Sequence, residues 1–149
     1  MQKITSFTID HTHLEKGIYL SRKDGTVSTL DFRLRRPYLD PTLTTTEMHS
    51  LEHLLATALR NGDYKSHVLY VGPMGCATGF YILFDNLSEN KMLLALHSAL
   101  EYCLSFDYMP GNSKTECGDC RTLDLNAGIA LAKEGYEIVK GKRKLDLYP

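Results

Sequence analysis

The chain has 149 residues, with 17 Lys+Arg against 18 Asp+Glu, six His, four Cys and no Trp. That length suits one domain, residues 1–149, able to bury about two-thirds of its unfolded surface and so to fold without disulfide staples. A net charge of −1 lacks the basic footprint of a nucleic-acid or anionic-membrane binder, so neither partner is expected.

In chain order, the pattern predicts a first strand over 4–9, with Phe7 and Ile9 on one face. A strand pair over 17–21 and 26–35 follows, turning at Lys23-Asp24-Gly25, since Asp-Gly supplies the positive φ angles of a tight hairpin. In its second strand Leu30, Phe32 and Leu34 alternate with Asp31, Arg33 and Arg35, giving one apolar and one charged face. Residues 37–44 form a loop. Thr44-x-x-Glu47 matches a capping box and starts a helix that runs to about Arg60 and stops at Asn61-Gly62. Met48, Leu51, Leu55 and Ala58 give this helix an apolar face.

The longest uncharged run, 68–84, approaches the length of a membrane span. It is broken by Gly72-Pro73-Met74-Gly75 and by Gly79, so two buried strands over 67–71 and 78–84 fit better. Ser88 caps a second helix through about Leu104, and a third covers 123–140. Between them lies a long segment, 107–122, holding Cys117-Gly118-Asp119-Cys120; long structureless loops in compact domains are often functional. Lys140-Gly141-Lys142-Arg143-Lys144 reads as a solvated tail. The arrangement predicts an α+β fold, an antiparallel sheet packed against three to four helices. No apolar signal segment opens the chain, so a cytoplasmic protein is expected, with its cysteines as thiols or metal ligands.

The most informative stretch is His49-Ser50-Leu51-Glu52-His53. Positions i and i+4 on a helix set both imidazoles on one face, where they can ligate one metal, with Glu52 beside them to handle protons. Cys117 and Cys120 are the natural sources of further ligands. If both bind, the site is a closed Cys2His2 structural zinc; if one binds, a fourth position stays open for water or substrate. Cys76 lies in the turn Gly72-Pro73-Met74-Gly75-Cys76-Ala77-Thr78-Gly79, read either as a thiol facing a pocket or as a small buried hydrophobe. Arg33 taken alone reads as a surface charge. His13, His67 and His97 read as structural, having no acidic or thiol neighbour in pattern.

Together these residues resemble S-ribosylhomocysteine lyase, the LuxS family of quorum-sensing enzymes. Ser6-Phe7-Thr8-Ile9-Asp10-His11 is similar to the family's S-F-x-L-D-H, and Asp31-Phe32-Arg33 to its D-x-R strand. His49–Leu55 resembles H-[ST]-L-E-H-L, Pro73–Gly79 resembles P-M-G-C-x-T-G, and Glu116-Cys117-Gly118 resembles [EQ]-C-G. The resemblance implies a LuxS/processing-peptidase-like fold, with His49, His53 and Cys117 as ligands of one divalent metal. That metal would be Fe(II), replaceable by Zn or Co. It further implies Cys76 and Glu52 as the catalytic acid/base pair, and Ser6, His11 and Arg33 as substrate contacts. A homodimer with its active sites at the interface is implied as well.

The implied reaction splits S-ribosylhomocysteine into homocysteine and 4,5-dihydroxy-2,3-pentanedione, the autoinducer precursor. The carbonyl moves along the ribose in two steps, and β-elimination then breaks the C5–S bond. The same reaction clears a by-product of the activated methyl cycle. Competing readings are an H-x-x-E-H metallopeptidase and a non-catalytic domain built on the closed Cys2His2 zinc. The chain departs from the family pattern at Tyr70 and Gly72, where an acidic residue and Ser are common, and at Arg36, where Gln is usual. Cys120 has no usual counterpart; it is a spare thiol, a fourth ligand or an oxidation partner of Cys117.

Overall fold

The computed structural model describes residues 1–149. Four strands, β1 (Gly17–Asp24), β2 (Val27–Arg33), β3 (Val68–Pro73) and β4 (Gly79–Asp85), form an antiparallel sheet in the order β1-β2-β4-β3. Three helices, α1 (Thr45–Asn61), α2 (Glu89–Cys103) and α3 (Leu125–Val139), complete the α+β fold. The β1–β2 hairpin turns at Gly25, whose φ of 60° is the left-handed conformation expected of the Asp-Gly pair. Ile18, Leu30, Phe32, Phe80 and Ile82 project from one face of the sheet. They share a buried core with Leu51, Leu54 and Leu55 of α1, Leu96 and Leu100 of α2, and Leu131 of α3.

The Thr44 side chain accepts from Glu47 N while the Glu47 carboxylate accepts from Thr44 N, so α1 opens on the expected capping box. Ser88 occupies the N-cap position of α2 but makes no side-chain cap bond. α3 starts two residues later than its apolar pattern suggested, because Asp124 supplies the cap to Ala127 N. The Asp124 amide donates to the buried Ser50 hydroxyl at 2.9 Å. This bond ties the end of the long loop 107–122 to the middle of α1, between the two histidines of interest.

Two expectations are corrected. No strand forms over 4–9; Thr5–Phe7 is a single 3-10 turn with Phe7 71% exposed. Local bonds take over there: the Thr8 amide and hydroxyl both donate to Thr5 O, and the Asp10 carboxylate accepts from Thr12 N. The outer edge of β1 meets the other end of the chain instead, through a parallel bridge between Tyr19 and Asp146. The second correction concerns the charged face of β2. Asp31 and Arg33 are 1% and 2% exposed, covered by the segment that follows the basic run 140–144, with Tyr148 hydrogen-bonded to Asp31.

Candidate metal centre

Helix α1 presents His49 and His53 one turn apart, their rings edge-on with centroids 4.7 Å apart. Loop 107–122 returns over them and sets Cys117 Sγ 3.3 Å from His49 Nε2. One ligating atom from each of His49, His53 and Cys117 lies within 4.8 Å of the others. Such a spread can contract around a single ion. Cys120 starts the 3-10 turn Cys120–Thr122 and falls outside this group, so the arrangement offers three protein donors.

Hydrogen bonds on the far side of each ring set its tautomer. His53 Nδ1 lies 2.8 Å from the Pro110 carbonyl, which can only accept, so Nδ1 carries the proton and Nε2 presents its lone pair. His49 Nδ1 lies 2.6 Å from the Thr122 hydroxyl. That hydroxyl donates to Asp119 O and is left to accept from His49 Nδ1, giving the same tautomer. Imidazoles held this way are oriented and made more basic toward a metal. Two neutral imidazoles and a thiolate suit Fe(II), Co(II) or Zn(II) and lack the oxygens that Mg or Ca requires. Gly111 completes the support: at φ 71° it passes so close that a Cβ there would lie 2.9 Å from His53 Nδ1. Glu52 is half-buried on the same helix.

A second cluster surrounds the β3–β4 turn. Met74 N bonds to Gly79 O and Ala77 N to Met74 O, tightening the turn, and the Cys76 thiol is exposed. Its Sγ lies 3.0 Å from the Thr78 hydroxyl. Arg33 Nη1 donates to that hydroxyl at 2.5 Å and approaches Sγ to 3.9 Å. The Asp31 carboxylate holds Arg33 with two bonds, at 3.1 and 2.6 Å. Burial alone works against the charge of Arg33, but the hydrogen bonds and charge of Asp31 outweigh it and raise its affinity for the proton. Gly79 permits this geometry, since a Cβ there would collide with Phe32 O and push β4 off β2.

Ser6 lies in the 3-10 turn near the N-terminus, and His11 Nδ1 bonds to Ile9 O at 2.9 Å. Within one chain no hydrogen bond links Ser6, His11, Arg33 or Cys76 to the His–His–Cys group or to Glu52. The side chains thus fall into two groups, one around His49, His53 and Cys117, the other around Cys76 and Arg33. Among the remaining histidines, His67 Nδ1 bonds to Asp85 O and His97 packs on Tyr136. His13 pairs with Asp10 at the surface, a partner that sequence spacing had not flagged. Sequence reasoning also missed Thr122 and Pro110, which fix the tautomers, and Thr78 and Tyr148 on the Cys76 side. Thr78 was within the quoted turn, but nothing in the sequence marked Tyr148. A cleft of about 420 Å³ between the end of α1 and α2, lined by Ala58, Tyr64, Ala95 and Tyr102 among others, shares no residue with either group.

Comparison with known proteins agrees with this geometry. A sequence profile of the S-ribosylhomocysteinase (LuxS) family matches residues 4–144. The chain is 42% identical to the S-ribosylhomocysteine lyase of Borreliella afzelii, with all of both chains covered. It is 42% identical to that of Clostridium beijerinckii over 87% of this chain and 85% of the relative. For the Porphyromonas gingivalis lyase the identity is 40%, over 97% and 92% of the two chains. No helix is long and apolar enough to cross a membrane. With its profile matched over nearly the whole length and its His–His–Cys group in place, the chain belongs to the S-ribosylhomocysteinase (LuxS) family.

Proposed function

We propose that this chain is a metal-dependent carbon–sulfur lyase that cleaves S-ribosylhomocysteine to homocysteine and 4,5-dihydroxy-2,3-pentanedione. The observation that carries the reading is the group of His49, His53 and Cys117, whose donor atoms lie within 4.8 Å of one another; three protein ligands would leave a fourth position for the substrate. The bound metal, Fe(II) with Zn or Co as replacements, would polarise the sugar oxygens so that the adjacent carbons can lose protons. His49, His53 and Cys117 hold it, and their Thr122 and Pro110 partners keep both Nε2 lone pairs facing it.

The protein's own part in the chemistry is proton management. Moving the carbonyl from C1 to C2 and then to C3 requires a proton to leave one carbon and reach its neighbour. The Cys76 thiolate and the Glu52 carboxylate take and return these protons. With the carbonyl at C3 the C4 proton becomes acidic; its removal expels the C5 sulfur, which leaves as the homocysteine thiol. Arg33 stabilises the Cys76 thiolate, and Arg33, Ser6 and His11 contact the substrate.

Two copies complete the site. Support comes from the hydrogen bonds of Cys76 and Arg33, which run to Thr78 and Asp31, with none to the His–His–Cys group of the same chain. The apolar surface of Phe7 (71% exposed) and Tyr38 (88% exposed) also favours an interface. The protein functions as a single domain in the cytoplasm, where its four free thiols stay reduced. Autoinducer synthesis and removal of a methyl-cycle by-product are then the same reaction.

The deciding experiment measures thiol release from S-ribosylhomocysteine by protein loaded with Fe(II) without oxygen. A chelated sample and Cys76→Ala run beside it. Release should need the metal and Cys76, while Cys76→Ala keeps full metal content. Absence of release from fully loaded wild-type protein refutes the lyase reading. Metal loss in Cys76→Ala would make Cys76 a ligand rather than a base. Sedimentation of the loaded protein as a monomer refutes the two-copy site.

A further inference from the structure

The face of β2 that carries Asp31 and Arg33 is closed by residues lying beyond the family match, which ends at residue 144. The closing segment is anchored at three points. Leu145 is buried in the core. The Asp146 carboxylate accepts from Ile18 N at 2.9 Å and from Lys142 Nζ at 2.5 Å. The Tyr148 ring stacks on Tyr19 with centroids 4.6 Å apart and planes 6° from parallel. This anchoring aims the Tyr148 hydroxyl at Asp31 Oδ2, to which it donates at 2.9 Å. A continuous chain results: Tyr148 to Asp31, Asp31 to Arg33, and Arg33 to Thr78 and Cys76.

We propose that Tyr148 is a positioning residue for the reaction, acting through Asp31 and Arg33 to hold Cys76 as its thiolate. The inference rests on the reading of Cys76 as the catalytic base. Asp31 offers Arg33 a buried carboxylate whose charge competes with the Cys76 thiolate for the same guanidinium. A hydroxyl donating to Oδ2 takes up part of that carboxylate's charge and fixes its rotamer. Arg33 then keeps Nη1 turned to Thr78 and Cys76 while its Nε and Nη2 stay on Asp31. Burial and the nearby Asp31 charge raise the proton affinity of the Tyr148 phenol, so it remains a donor. Without it, Asp31 becomes the stronger partner, the guanidinium is drawn toward it, and the thiolate loses support.

Tyr148→Phe removes the hydroxyl and leaves the ring on Tyr19, so the strap stays folded. The test uses the metal-loaded full chain and three measurements: kcat and KM for homocysteine release, metal content, and the rate of iodoacetamide alkylation at Cys76 at neutral pH, followed by mass spectrometry. The thiolate is the species alkylated. We expect kcat to fall about three- to tenfold, in line with loss of one ordinary hydrogen bond. KM and metal content should stay near wild type, and alkylation of Cys76 should slow by a similar factor. A merely structural role predicts no slowing, since Cys76 is already exposed and a loosened strap would not shield it. Unchanged or faster alkylation in Tyr148→Phe overturns the proposal, whether or not the protein is active. Failure of the reading beneath it shows separately, as product formation by Cys76→Ala.

Discussion

Gly111 offers a way to disturb the metal centre without touching a ligand. It follows Pro110, whose carbonyl accepts from His53 Nδ1, and its φ of 71° is left-handed. In Gly111→Ala the new Cβ would lie 2.9 Å from His53 Nδ1 and 3.1 Å from its Cε1. Two separable costs arise. The first is backbone strain, about 1–2 kcal/mol for a residue with a Cβ in the left-handed region. It falls on the folded chain with or without metal and lowers Tm by about 2–8 °C for a domain of this size. The second falls on binding. The ring must swing off the Pro110 carbonyl, losing the bond that fixes its tautomer. Loss of such support typically weakens a metal site about 10–100-fold, or about 1.4–2.7 kcal/mol.

Competition against a chromophoric chelator measures the affinity directly, and thermal melts with and without chelator separate the two costs. In Gly111→Ala the metal-free protein should melt lower than wild type, and the Tm gain on loading metal should shrink. Gly111→Asn provides the internal control, because Asn tolerates the left-handed region while still carrying a Cβ. Its metal-free stability should stay near wild type while its affinity falls as far as that of Gly111→Ala. If Gly111→Ala holds metal within about twofold of wild type, a difference under 0.5 kcal/mol, the Pro110–His53 support is not what shapes the site.

Two further outcomes concern the thiols and the buried phenol. Cys117→Ser should lose the metal on dialysis, whereas Cys120→Ser should retain it, as read by elemental analysis; equal loss would return the closed four-ligand site. Stability should also decline in alkali. Burial pushes the Cys103 thiol up from 9.0 to about 12. Burial, then the charges of Asp146 and Asp31, pushes Tyr19 from 10.0 to about 12. Both groups keep their protons in the fold and release them on unfolding, so stability is lost as pH climbs from about 9 toward 12. Urea midpoints across that window should fall less steeply in Cys103→Val, which has no proton to release; equal slopes would remove Cys103 from the account.

What the sequence reveals about this protein depends on how local the deciding contact is. The α1 start was legible because its capping box spans Thr44 to Glu47 and closes on itself. The β1–β2 hairpin was legible because Gly25 alone sets the turn. The histidine pair was legible because helical spacing fixes which side chains share a face. Choosing between Cys117 and Cys120 was a different matter, since three residues of loop spacing favour neither. The choice depends on where the loop is tied down, at Thr122 against His49 and at the Asp124 amide against Ser50. A strand over 4–9 failed for a related reason. Alternation in sequence supplies a face but not a partner, and the free edge of β1 bridges to Asp146.

β2 sharpens this point into a physical rule for the site. Alternation correctly separated Leu30, Phe32 and Leu34 from Asp31 and Arg33, but hydropathy period reports which side a residue is on and not what covers that side. The cover here comes from Tyr148, 117 residues after Asp31, so the charged face reads as solvent-facing until the chain is folded. A polar face can be buried only if its groups satisfy one another. Asp31, Arg33, Thr78 and Tyr148 do so, and no buried side-chain nitrogen or oxygen is left without a partner. An Arg in water would be screened and mobile. The same Arg held on two sides of its fork, with its third nitrogen turned to Thr78 and Cys76, is a fixed charge beside the Cys76 thiol. The burial that made Arg33 hard to read from sequence is therefore what fixes its charge in place beside Cys76.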